Sequence, residues 1–135
     1  MKHFMLKLLH ATGSESFDEV TSFVGEDGSG SFGILAGHRR MMTTLVIGLA
    51  RFRTGLDEWN YLALPGALLY FNDDVLTIST RRYLVDDNYM RISQALQEQL
   101  IAEEEDLRAM KESLHRMEEA ILKRLWDMGR GDMEL

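Results

Sequence analysis

"VLTISTRRYLVDDNYMRISQALQEQL", residues 75–100, changes its hydrophobic period partway along. Through Val85 the apolar residues fall in short, strand-length runs. From Tyr89 onward, Tyr89, Ile92, Leu96 and Leu100 recur at three- and four-residue steps, the spacing of one face of an α-helix. Asp86-Asp87-Asn88 marks the change, and Asp87 or Asn88 is a suitable helix N-cap. The expected organisation is therefore a strand-built domain over residues 1–86, an amphipathic helical tail over 87–130 and an unstructured end at 131–135.

Upstream of that switch, "HFMLKLLH" places Phe4, Leu6 and Leu8 on one face of a strand. "DEVTSFVGED", "GLARFRTG", "EWNYLAL" and "ALLYF" follow at strand lengths, punctuated by Gly55, Pro65-Gly66 and Asn72-Asp73-Asp74. "HRRMMTTL" reads either way. About ten short strands with frequent turns predict an all-β flattened sandwich or barrel. Downstream, Leu107, Met110, Leu114, Met117, Ile121, Leu125 and Met128 continue the helical stripe, and Gly129 is placed to end it. "EEED", residues 103–106, either turns a two-helix hairpin or lies on the solvated side of one long helix. A stripe of this kind must pack on something, because a large aliphatic side chain left exposed forgoes about 1.5–3 kcal/mol.

Composition removes several classes of function. The chain has 135 residues, 45% of them hydrophobic, which suits one globular domain with an appendage. There is no cysteine, so neither disulfides nor thiolate chemistry are available. A net charge of -7 argues against nucleic acid or an anionic membrane surface as the main partner. "YLALPGALLYF" is too short to span a bilayer, and the apolar N-terminus reads as a strand rather than a signal peptide.

"GEDGSGSFGILAGHRR", residues 25–40, contains a complete G-x-G-x-x-G at Gly28, Gly30 and Gly33. A dinucleotide site needs the last glycine to open a helix and an acidic residue about 20 positions on. Here "ILAG" and then strands follow, so the glycines are assigned to a sharp turn and no nucleotide is expected. His3, His10, His38 and His115 have no metal-ligand spacing, no carboxylate pair stands out, and no serine sits in a nucleophile elbow. The residues call for no catalytic group, metal or cofactor.

The same stretch carries a resemblance. "GSGSFGILAGHRRMMTTL", residues 28–45, resembles the G-x-[EF]-G-[IV]-L-P-G-H-x-P-L-[LM]-T-x-L signature of the epsilon subunit of F-type ATP synthases. "GLARFR" is similar to the glycine-led strand that follows it in the family, and "EWNYLALPGALLYFNDDVLTISTRRYLVDD" to the succeeding strands. The resemblance implies a ten-stranded flattened sandwich followed by two helices, and a noncatalytic place in the rotor of the synthase. The gamma subunit and the c-subunit ring are the implied partners, with the alpha/beta catalytic head within reach of the tail. Asp27, Gly28, Ser29, Gly30 and Ser31 would form the turn that rests on the ring, with His38 in the same gamma and ring interface. The tail stripe from Leu107 to Met128 would regulate hydrolysis. The implied location is peripheral, on the cytoplasmic face of a bacterial inner membrane, without insertion into it.

Three departures from the signature are visible. Ala36 stands where the family usually has proline, Arg39-Arg40 where a small residue and a proline are usual, and Ser31 where an acid is common. Some members bind ATP through [IL]-D-x-x-R-A, whereas "VDDNYMRI" spaces Asp87 and Arg91 one residue wider and lacks the alanine. These point to a divergent branch, of the kind of the alternate ion-translocating ATPases carried beside a standard synthase. A different reading of the residues remains open: a free-standing β-sandwich adaptor that dimerises through a coiled-coil tail, since the stripe also fits a 3.5-residue spacing.

Overall fold

The computed structural model describes residues 2–55 and 57–133. Nine strands come first: β1 (Phe4–His10), β2 (Gly13–Asp27), β3 (Gly30–Leu35), β4 (Met41–Leu45), β5 (Gly48–Thr54), β6 (Trp59–Leu64), β7 (Ala67–Asn72), β8 (Val75–Ser79) and β9 (Leu84–Asp86). Helix α1 (Tyr89–Ala95), a π-helical turn (Leu96–Ile101) and helix α2 (Ala102–Met133) follow without an intervening loop. The chain divides into two compact units, residues 1–101 and 102–135.

The strands form a β-sandwich. Along one connected path they run β1-β8-β7-β4-β2-β5-β6-β9, with β3 added beside β2. β2 belongs to both layers. Its first half pairs with β1 from Gly13 to Val20, and its second half with β5 and β3. The strand changes layer near Glu19, whose φ is 58°, and the β2–β5 register shifts between Val20 and Ser22. Such an irregularity lets a long strand bend without ending it. The core follows the alternation of the sequence: Phe4, Leu6 and Leu8 face inward with Phe23, Ile34, Phe52, Leu69, Phe71, Leu76 and Ile78. Phe4 meets Phe71 edge-on at 5.6 Å between ring centres. Gly25 completes this packing, because a Cβ there would come within 2.8 Å of the Phe23 ring.

The first part of the tail belongs to the first unit. Ile92, Leu96 and Leu100 are buried with Ala63, and Leu49, Tyr61, Leu84 and Ile101 pack around them. Register explains the choice of surface. Ala63 lies opposite Leu49 on β5 and Leu84 on β9, so these side chains share one outer face with Tyr61 two positions away. The small Ala63 lets the helix approach that face closely. Asn88 is the N-cap, its side-chain oxygen accepting from the backbone N–H of Arg91 at 2.9 Å. The Arg91 guanidinium in turn grips Asp86 at the end of β9, with Nη2 to Oδ1 at 2.7 Å. Those bonds, with the Asn88 backbone N–H, hold the Asp86 carboxyl below the ordinary aspartate range.

One open alternative is decided and two local expectations change. The residues around "EEED" make no turn: with no glycine or proline to break it, the backbone stays helical from Tyr89 to Met133. Gly129 does not end the helix but lies inside it, its helical neighbours outweighing a cost of about 1 kcal/mol. Of the end expected at 131–135, α2 takes in residues through Met133, and residues 134 and 135 lie outside the described ones.

This packing sets where the chain can be cut. Ending it at Ile101 leaves both cores whole and should preserve cooperative urea unfolding at nearly the full-length midpoint. Ending it at Asp87 uncovers Leu49, Tyr61, Ala63 and Leu84. Stability should then fall by about 1.5–3 kcal/mol for each of the three buried tail side chains lost. Equal midpoints for the two truncations would refute this account.

Candidate functional site

The turn between β2 and β3 is built from one carboxylate. Asp27 pairs with Gly30 across a two-residue turn of Gly28 and Ser29. Its Oδ1 accepts from the Ser29 backbone N–H at 2.9 Å and from the Ser29 hydroxyl at 2.5 Å, and its Oδ2 accepts from the Thr43 hydroxyl at 2.8 Å. This is an aspartate turn, in which the side chain replaces a backbone acceptor. Gly30 closes it at φ 126°, where a residue with a side chain would be strained. The Ser29 hydroxyl, then Thr43 and the Ser29 N–H, hold the Asp27 carboxyl below the usual aspartate range. Beside the turn, the Val46 N–H donates to the Glu26 carbonyl at 3.1 Å, which brings the half-exposed Val46 and Ile47 next to it.

The three glycines of the fingerprint have different settings. Gly33 lies in the middle of β3 rather than at a helix start, and nothing crowds Gly28. Only Gly30 of the three is held at a positive φ. Among the described residues no group of His, Cys, Asp and Glu could hold a metal ion.

His38 stands elsewhere. It follows the C-terminal end of β3, whereas Ser31 lies at its beginning, and six residues of strand span about 20 Å. The structure therefore brings Asp27, Gly28, Ser29, Gly30 and Ser31 together and leaves His38 at the far end of the strand. There the Gly37 N–H donates to Asp74 Oδ1 at 2.7 Å, and the His38 ring lies edge-on to Phe71. Asp74 and Asp73 both have positive φ and form the tight β7–β8 turn. Asp74 is marked in the sequence as a turn residue, but neither its contact with Gly37 nor the part of Thr43 in the other loop is visible there. Their signal was weak, since the contact of Asp74 with Gly37 spans 37 positions.

In α2 the stripe is on the surface from Met110 onward, while Leu107 before it is half-buried. Met110, Leu114, Met117, Ile121, Leu125 and Met128 are 56–62% exposed, and Leu122 and Trp126 widen the apolar side toward its end. His115 pairs with Glu119 at 3.1 Å and is solvated. Arg91, one residue further from Asp87 than in the ATP-binding pattern, is engaged with Asp86 and lies 3.6 Å from Asp87. No helix among the described residues is long and apolar enough to cross a membrane.

Residues 3–85 match the protein family described as "ATP synthase, Delta/Epsilon chain, beta-sandwich domain". The ATP synthase epsilon chain 2 of Cereibacter sphaeroides is 29% identical over 90 residues, which cover 66% of this chain and 62% of that one. The chloroplastic ATP synthase epsilon chain of Mesostigma viride is 29% identical over 75 residues, 56% of each chain. The chain thus spans less than two thirds of the length of these curated relatives. A chain in the cryo-EM structure of the Euglena gracilis mitochondrial ATP synthase has a similar fold, with a TM-score of 0.58 at 20% identity. That likeness covers 71% of this chain and 62% of the other. A chain in the central stalk and c-ring of the Tetrahymena thermophila mitochondrial synthase gives 0.52 at 12% identity, covering 84% and 92%.

The carboxylate at the turn has a pH signature. Its folded pKa is depressed, so the contribution of its hydrogen bonds is complete above the unfolded value of about 3.9 and is lost as pH falls through the lower folded value. Between pH 6 and 8 it should be constant. Carboxyl-detected NMR should place the Asp27 midpoint below that of a free aspartate, and both Ser29→Ala and Thr43→Val should raise it. A midpoint unmoved by either substitution would contradict the hydrogen-bond assignment.

Proposed function

The chain belongs to the ATP synthase delta/epsilon family, and from that membership we propose that it serves as the epsilon-type, noncatalytic subunit of a synthase central stalk. The match of residues 3–85 to the family's β-sandwich carries this reading. In it the sandwich binds the gamma subunit and the c-subunit ring and transmits rotation between ring and catalytic head. The Asp27–Ser31 turn supports the contact with the ring. It is a rigid projection whose hydrogen bonds are made before any partner arrives, so little ordering cost remains at docking. His38, at the other end of β3, serves a separate part of the gamma contact. The location is peripheral, at the cytoplasmic face of a bacterial membrane.

The tail divides into two roles. α1 and the π-turn complete the sandwich unit, and α2 is the regulatory element that limits ATP hydrolysis by covering its apolar stripe on the stalk or the catalytic head. A helix with two alternative packing surfaces acts as a switch when their free energies differ by a few kcal/mol. The exposed stripe also favours a second reading, self-association of the free subunit through α2. Light scattering separates the two, since self-association requires a dimer that disappears on truncation after Ile101.

Co-expression with gamma and c subunits should yield a complex that retains this chain through affinity purification. Within it, Ser31→Arg and Ser31→Trp should lower ion pumping per ATP hydrolysed while leaving the isolated sandwich folded, as loop substitutions usually cost under about 0.5 kcal/mol. Unchanged pumping in both variants would remove this turn from the interface.

Truncation after Ile101 tests the regulatory helix without disturbing the fold. Hydrolysis in the reconstituted complex should rise while coupled transport is kept. Unaltered hydrolysis would mean that α2 is not inhibitory.

A further inference from the structure

Two strands of the sandwich have an edge left largely unpaired among the described residues, and neither carries a charge or a proline. Among the described residues β3 pairs with β2 alone, while β4 pairs with β7 on one side and meets β2 only at Leu45 on the other. The unpaired N–H and C=O groups of a free edge are a template for another strand, and folded proteins usually blunt such edges with lysine, other charges or proline. "GSFGIL" and "MMTTL" contain none of these. Leu35 and Met42, 63% and 64% exposed, are the most exposed large hydrophobic residues of the nine strands. The loop that joins the two strands carries His38, Arg39 and Arg40, all exposed, in a chain of net charge -7. Open hollows lie at the beginning and at the end of that loop. One of about 540 Å³ is bounded in part by Ser22, Leu35 and Ala36, and one of about 490 Å³ by Arg40, Met41, Met42 and Tyr70.

We infer that the free edge of β3 receives an extended segment of a neighbouring subunit as an added strand, apolar at alternate positions and carrying carboxylates where it passes Arg39 and Arg40. Main-chain pairing on the uncharged edge supplies the affinity, and the side chains that alternate above and below supply the specificity. Leu35 offers an apolar contact on one face of the added strand. The basic loop selects an acidic partner segment and fixes its direction along the edge. Gly33 fits this use: it is exposed in mid-strand, and no side chain keeps a neighbouring backbone away. The inference rests on the assembly role proposed above and adds to it the mode of contact.

Hydrogen exchange on the full-length chain, alone and within the complex with gamma and c subunits, tests it. Backbone amides of residues 30–35 that do not pair with β2 should exchange at least about tenfold more slowly in the complex. A double variant, Arg39→Glu with Arg40→Glu, should fold normally by circular dichroism, weaken retention of gamma and c several-fold, and remove the salt dependence of that retention. A chain that assembles while its β3 amides exchange equally fast in both states overturns the strand addition and leaves the assembly role standing. A chain that does not assemble overturns both. Protection of β3 in the concentrated isolated chain, with a dimer by light scattering, overturns the inference in favour of a second copy on the same edge.

Discussion

β2 has to serve four neighbours, and the sandwich depends on its doing so. Its fifteen residues pair with β1 along the first half and with β3 and β5 along the second, and reach β4 at Asp27. A flat strand of that length would lie in one layer. The positive φ at Glu19 and the shifted register beyond Val20 let it change layer without a loop. Phe23, fully buried, then sits where the layers meet, and the absence of a side chain at Gly25 gives its ring room. Asp27 at the end of the same strand organises the exposed turn. Core, layer crossing and projecting loop are thus consecutive parts of one strand, so the core that fixes Phe23 also fixes where Asp27 points its hydrogen bonds.

Most of this architecture is visible in the sequence because it rests on local pattern. The alternation of Phe4, Leu6 and Leu8, the turn residues Asn72-Asp73-Asp74 and the change of period after Asp86 are short-range signals, and each corresponds to an element. The features that escape are those that local pattern cannot encode. "DEVTSFVGED" marks only residues 18–27 of β2, because four of the five residues before it carry no buried apolar side chain and are strand through their pairing with β1. The turn and His38 share one family signature, yet β3 lies between them. The glycines of "GSGSFG" satisfy a motif although Gly30 alone is held by its φ.

The tail shows the limit most clearly. Ile92, Leu96 and Leu100 recur at helical steps just as Met110, Leu114 and Met117 do, yet the first three are buried on the Ala63 face and the others are exposed. Periodicity reports that a helix has an apolar side; it does not report whether the protein itself supplies a surface for that side. The difference arises from β6 and β9, whose register places Ala63 and Leu84 side by side. The π-turn falls at the end of the docked segment, directly before the unit boundary at Ile101. π-turns are an uncommon helical geometry that recurs at functional positions.

Energetics assign the remaining helix its character. α2 has 32 residues, which at about 1.5 Å each make a rod of about 48 Å. Isolated helices are marginal in water, and most helical stability in proteins comes from burying an apolar face. With six stripe residues of α2 more than half exposed, that gain is largely unused in the free chain. The charged residues of α2, nine Asp and Glu against six Lys and Arg, keep its polar side in water meanwhile. A helix in this condition responds strongly to any surface able to cover it, since the burial it lacks becomes binding energy there. It responds only by the difference between the surfaces on offer, so regulation through α2 requires that its resting and engaged positions cover the stripe to nearly the same extent.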